Sequence, residues 1–126
     1  MREEIRVESG APPQGIYSQA ILAEGRFLFV SGQISCDPES GKLVIGSFRE
    51  QAELTFRNIG TLLDAASTSW ENVVRVGIYL TDMDNFAEMN EVYLQFVSAP
   101  YPARTTVEVG LPKIAIEVDC IAIVPQ

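Results

Sequence analysis

Near the C-terminus, residues Ile114–Val124 form an almost unbroken apolar run, interrupted only by Glu117 and Asp119. Such a run reads as a central strand that must be covered on both faces. Two helical segments can provide cover. Ser47-Phe48-Arg49-Glu50 has the spacing of a capping box, and Ala52, Phe56, Ile59, Leu63 and Ala66 then recur every three or four residues. That stripe faces a sheet, and the helix should end near Ser67-Thr68-Ser69, with Trp70–Asn72 making a single turn. Asp84 or Asn85 opens a second helix, with Glu88 three residues after Asn85 and a stripe of Phe86, Met89, Tyr93 and Phe96 or Val97. Asn90 borders that stripe, so burial there would require a specific hydrogen-bond partner.

The other strands read less uniformly. Val73–Leu80 alternates: Val74, Val76, Ile78 and Leu80 share the face expected to meet the helices, and Val73, Arg75, Gly77 and Tyr79 share the other. The second face is either a subunit interface with Arg75 paired across it, or a solvated surface. Ser18–Ala23 and Arg26–Ser31 flank Glu24-Gly25, a plausible hairpin turn, and Phe27–Val30 is apolar on both faces. Ile5–Val7 reads as a short strand, Pro12–Gly15 as a loop that proline keeps out of any ladder, and Asp37–Gly41 as a turn before a short strand Leu43–Ile45. Tyr17 and Ser18 follow the first of these loops, and Tyr17 is equally readable as a site residue or a packing residue. No repeat or linker divides the chain, so residues 1–126 are expected to form one domain.

Chemistry is narrowed mainly by what is missing. The chain has no histidine, which removes Ser-His and Cys-His dyads, His-based zinc sites and the histidine acid/base pair of many ribonucleases. Cys36 and Cys120 are far apart and lack metal-ligand spacing. A net charge of −8 repels phosphate backbones, so nucleic acid is a poor partner. With no basic leader and no apolar run of about 18 residues, a soluble cytoplasmic protein without membrane attachment is expected. Two charges then stand out, because each interrupts a strand. In Pro102-Ala103-Arg104-Thr105-Thr106-Val107-Glu108, Arg104 shares a face with Thr106, a fork beside a hydroxyl that suits a small carboxylate. Glu117 is the other. They could be a structural ion pair, or a carboxylate anchor and a proton shuttle.

Pro102–Val109 followed by Leu111-Pro112-Lys113 resembles the signature of the RidA/YjgF family, the reactive enamine/imine deaminases. Further matches lie in order along the chain: Gly15–Ala20, Val30–Gln33, Asp84–Asn90 and Ile116–Asp119. The resemblance implies an α+β fold like that of the Bacillus-type chorismate mutase: a mixed six-stranded sheet with two helices on one face. It also implies a homotrimer with clefts between subunits. The implied reaction is hydrolysis of 2-imino acids of the 2-iminobutanoate and 2-iminopropanoate type to 2-oxo acids and ammonia, with no metal or organic cofactor. Arg104 would orient the substrate carboxylate and Glu117 would activate water. Tyr17, Ser31, Gly32, Asn90 and Thr106 would line the site. Two departures from the family pattern concern the rim: Ile16 stands where proline is usual, and the connector Ser98–Pro102 is short. Thr106 stands where some members carry cysteine, so a thiol-dependent role is excluded. The alternative is a non-catalytic trimer that binds small carboxylates or acts as a chaperone-like regulatory module. Ribonuclease activity has been attached to relatives, but the acidic charge and missing histidines disfavour it here.

Overall fold

The structure, a computed structural model, describes residues 1–126. Six strands and two α-helices are present: β1 (Arg2–Ile5), β2 (Ala20–Ala23), β3 (Arg26–Gln33), α1 (Phe48–Ala65), β4 (Val73–Leu80), α2 (Phe86–Tyr93), β5 (Ala103–Glu108) and β6 (Ile116–Val124). The expected single six-stranded sheet is divided. β1 and β2 pair with each other, and a separate mixed sheet runs β3-β6-β4-β5. In it β6 is antiparallel to both neighbours, while β4 and β5 are parallel and joined through α2. β6 is therefore interior, as its apolar content requires.

Several local expectations change with this division. The Glu24-Gly25 turn does not close a hairpin, because β2 spends its ladder on β1 and β3 spends its own on β6. Gly25, at φ 130°, makes the sharp reversal between the two sheets. The first strand lies at Arg2–Ile5 rather than Ile5–Val7, and Arg2 anchors it by donating to the carbonyls of Val73 (3.0 Å) and Pro100 (2.7 Å). Leu43–Ile45 is too short to build a strand before the cap of α1; only Leu43 bridges to Cys36.

The helices behave largely as their sequences dictate. Ser47 and Glu50 cap α1 reciprocally, each bond 3.1 Å. Ala52, Phe56, Ile59 and Leu63 are buried, and the chain leaves the helix through Ser67 at φ 61°. In α2 the box does not form, since Glu88 turns to Arg49 on α1 instead (3.1 Å). A 3₁₀ turn over Met83–Asn85, capped by Asp82, leads into the helix. Both helices share one core with the buried face of the large sheet: Val76, Ile78, Leu80, Ile116, Val118, Cys120 and Ala122. At its centre Phe56 meets Trp70, Tyr93 and Phe96, with ring centroids 5.4–6.0 Å apart.

At the start of β4 the alternation put Val73 and Val74 on the wrong faces, while Val76, Ile78 and Leu80 meet the core as expected. Between Val73 and Arg75 the ladder with β6 slips by one residue. This bulge sends Val73 into the core, fully buried, and Val74 to the outer face beside Arg75. The outer face carries Phe27 (42% exposed), Phe29 (72% exposed) and Ile121 at one end. Tyr79, Glu117 and Asp119 lie at the other, where Tyr79 donates to Asp119 (3.0 Å).

Two outcomes follow from this packing. Phe56→Ala, which empties the centre of the aromatic cluster, should cost about 3–5 kcal/mol of unfolding free energy in urea titration. Burial pushes the Cys120 thiol up to about 12. A buried thiol is held neutral well above physiological pH, so native protein should resist alkylation at Cys120 at pH 8 and be labelled there only on unfolding, as read by mass spectrometry.

Candidate functional site

β5 is an edge strand, and its Arg104 sits in register with Val76 on β4, a core residue. The side chain therefore leaves the sheet toward the helices. There its Nη1 donates to Asn90 Oδ1 of α2 (2.7 Å), and the guanidinium carbon lies 5.2 Å from the Tyr93 ring centroid, 5.7 Å from that of Phe86 and 5.9 Å from that of Tyr17. No carboxylate in the chain pairs with it; the ion pairs are Arg6–Glu4 and Arg49 with Glu88 and Glu91. Burial depresses the Arg104 pKa, offset by the nearby Tyr93 and Tyr17 rings, yet guanidinium stays charged under all ordinary conditions. A half-buried cation with most of its five donors free, screened from water by aromatic faces, is a fork awaiting an anion.

Next to it, Thr106 is in register with Ile78 and shares Arg104's face; its Oγ1 is buried without a hydrogen-bond partner. An orphaned hydroxyl at a cleft wall is costly unless something polar arrives to meet it. The cleft, about 320 Å³, is lined by Gln14, Tyr17, Phe86, Arg104, Thr105 and Thr106. Tyr17 comes from the loop before β2. That loop is fixed by Gln19, whose amide accepts from Val7 N–H (2.7 Å) and donates to the carbonyls of Val7 (3.1 Å) and Ala11 (2.9 Å). Ser18, buried, closes it from below by donating to the Tyr101 carbonyl. Ile16, in place of proline, holds the loop by packing its side chain on the core.

Glu117 is elsewhere. It pairs with Tyr79 across the β4–β6 ladder, while its neighbours Ile116 and Val118 are buried in the core, so it projects from the outer face of the sheet. Its carboxylate lies over Gly32, where an added Cβ would come within 2.8 Å of the Glu117 Cδ. Gly32 and Ser31 occupy the bulge between Val30 and Gln33 of β3, and both are exposed. The seven expected site residues thus fall into two groups. Tyr17, Asn90, Arg104 and Thr106 converge on the helix side; Ser31, Gly32 and Glu117 gather on or beside the opposite face. A single protomer brings Arg104 and Glu117 neither into one cavity nor into an ion pair.

Sequence reading missed Phe86 and Tyr93 as walls of the guanidinium site, having assigned both to the helix stripe, and missed Gln14 and Gln19. The signal for the rings was available: Phe86, Asn90 and Tyr93 recur at i, i+4 and i+7, one face of α2. Nothing local marks Gln19 as a clamp. No group of three or more His, Cys, Asp or Glu side chains is placed to hold a metal ion, and no helix is long and apolar enough to cross a membrane.

Comparison with known proteins agrees with the motifs. The family model described as Endoribonuclease L-PSP matches residues 8–124. A RutC family protein of Pyrococcus horikoshii is 46% identical over 124 residues, covering 97% of this chain and 98% of the relative. The human 2-iminobutanoate/2-iminopropanoate deaminase is 41% identical over 111 residues, 86% of this chain and 80% of the human one. The crystal structure of RidA from an Antarctic Psychrobacter superposes with a TM-score of 0.74 at 38% identity, covering 97% of this chain and 99% of that one. On fold, motifs and sequence together, the chain belongs to the RidA/YjgF family.

Proposed function

We propose that this protein is an enamine/imine deaminase, hydrolysing reactive 2-imino acids of the 2-iminobutanoate and 2-iminopropanoate type to 2-oxo acids and ammonia. The observation that carries the reading is the Arg104 guanidinium, half-buried among aromatic rings with no acidic partner and an orphaned Thr106 hydroxyl beside it. That is a receptor for a carboxylate on a small polar molecule. The name of the human relative supports the choice of imine as the reacting group.

The chemistry asks little of the protein. With the carboxylate on Arg104, C2 of the protonated imine is fixed within the cleft. Glu117 accepts a proton as water adds to C2, then returns it to nitrogen; ammonia leaves as the carbonyl forms and departs as ammonium. The balance is R–C(=NH2⁺)–COO⁻ plus water giving R–C(=O)–COO⁻ plus NH4⁺. An enamine is first protonated to the imine. Imines hydrolyse readily, so positioning supplies most of the acceleration.

Because Arg104 and Glu117 leave opposite faces of one sheet, the active unit requires a second copy. The working form proposed is a cytoplasmic homotrimer of this one-domain chain. The Tyr17–Asn90–Arg104–Thr106 half-site of one protomer meets the Ser31–Gly32–Glu117 half-site of the next. The Phe27, Phe29 and Val74 surface on the same face as Glu117 supports this, since an outer face that apolar is poorly suited to water. The separation of the two groups also favours one competitor, a module that binds small carboxylates without turning them over.

Mixing distinguishes the two. With imines generated in place by an amino-acid oxidase, Arg104→Ala should lower kcat/KM by about 10²-fold or more, and Glu117→Ala should abolish turnover while leaving 2-oxo acid binding. Co-refolding the two inactive variants in equal amounts should rebuild about one quarter of the sites if each draws on two copies. Turnover by Glu117→Ala at the wild-type rate rejects the catalytic assignment, and mixtures that stay inactive reject the shared site.

A further inference from the structure

We infer that the cleft favours 2-imino acids whose side chain carries a neutral hydrogen-bond donor, and that Gln14 is the residue that reads it. The chemistry rests on the deaminase reading above; the binding preference does not. Gln14 lines the same cleft as Arg104. Its backbone N–H donates to the Tyr17 hydroxyl (2.8 Å), which pins residue 14 beside that ring. The following residue, Gly15, lies against the guanidinium, since a Cβ built there would be 3.5 Å from Arg104 Nη2. A molecule whose carboxylate sits on Arg104 therefore has Gln14 one residue away, at the mouth of the same cleft.

The amide is already polarised toward one role. Its Nε2 donates back into its own loop, to the Pro12 carbonyl (3.3 Å), so Oε1 of this exposed residue faces solvent as an acceptor that no protein group occupies. On the inner side the Thr106 hydroxyl is also unpartnered. The apolar surfaces of the cleft are the Tyr17 and Phe86 rings, and both already lie over Arg104. An aliphatic side chain seated there would strip water from Oε1 without replacing its hydrogen bond, and a polar atom left unpaired on binding discriminates more strongly than a missing methylene does. A second carboxylate fares worse, because Arg104 is the one cation of the lining and is taken by the first. A hydroxyl or a primary amide supplies what Oε1 lacks.

Calorimetry with stable 2-oxo acids tests this without requiring turnover. The pairs 3-hydroxy-2-oxopropanoate against 2-oxobutanoate, and 4-hydroxy-2-oxobutanoate against 2-oxopentanoate, exchange a hydroxyl for a methyl at two distances from C2. In at least one pair the hydroxyl member should bind about tenfold more tightly, and 2-oxopentanedioate should bind more weakly than either. Gln14→Leu, which keeps the backbone N–H to Tyr17, should bring the preferred pair to near equality. The inference is overturned if the methyl members bind as well in both pairs, or if Gln14→Leu leaves the preference intact. Failure of every 2-oxo acid to bind overturns it together with the assigned role of Arg104. A preference in binding without accelerated imine decay would sink the deaminase reading and leave this one standing; accelerated decay without preference would do the reverse.

Discussion

The antiparallel ladder between β4 and β6 sets Val118 opposite Ile78 and Glu117 opposite Tyr79. Successive side chains leave a strand on opposite faces, so this one register commits Ile116, Val118, Cys120 and Ala122 to the helices and Glu117 and Asp119 to the other side. A slip of one residue would drive two carboxylates into the core and expose four apolar side chains, which is why the register is strongly specified. Parallel pairing of β5 on β4 extends the same logic to the edge: Arg104 inherits the face of Val76, and Thr106 that of Ile78. Both halves of the candidate site are consequences of core packing.

Arg104 is kept on the helix side at a cost. Withdrawing an unpaired guanidinium from water is unfavourable by several kcal/mol, and the protein offsets it in pieces. The hydrogen bond to Asn90 contributes about 1.5–3 kcal/mol as a charge-assisted contact. The ring faces of Tyr93, Phe86 and Tyr17 add roughly 0.5–2 kcal/mol each where water is excluded. These partners neutralise nothing, so the positive charge persists for a ligand to meet. Asn90 can hold one N–H without competing as an anion. Tyr93 serves twice, since one side of its ring packs on Phe56 in the core while the guanidinium lies over the ring system.

Much of this was legible beforehand, and the failures have physical causes. The capping box at Ser47, both helix stripes, the interior position of the last strand and the motifs of the family could be read because each depends on local spacing. The faces of Val73 and Val74 at the start of β4 could not. A bulge adds one residue without any sequence mark, and from Val74 backward every alternation-based assignment inverted. The Glu24-Gly25 turn failed for a different reason: glycine at positive φ reports a reversal, but whether the two flanking strands pair is decided by rivals distant in sequence, here β1 and β6. Among site residues, Arg104 and Asn90 met through a hydrogen bond. Arg104 and Glu117 did not, since residues thirteen apart in sequence carry no information on which face of a sheet each will take until the register is known.

In the proposed reaction their separation has a chemical use. An arginine and a glutamate able to reach each other inside one chain would close into an ion pair, leaving the guanidinium without a free fork and the carboxylate too weak a base to move a proton. Opposite faces of one pleated sheet prevent that collapse whatever the side-chain rotamers. Glu117 is instead held over Gly32, where the missing Cβ leaves room for its carboxylate against the backbone of β3. Arg104 is held by Asn90 and rings. Each group is thus stored in a form that its own protomer cannot quench, and the proposed reaction begins only where two copies bring an unsatisfied cation and an unsatisfied base to opposite ends of one small molecule.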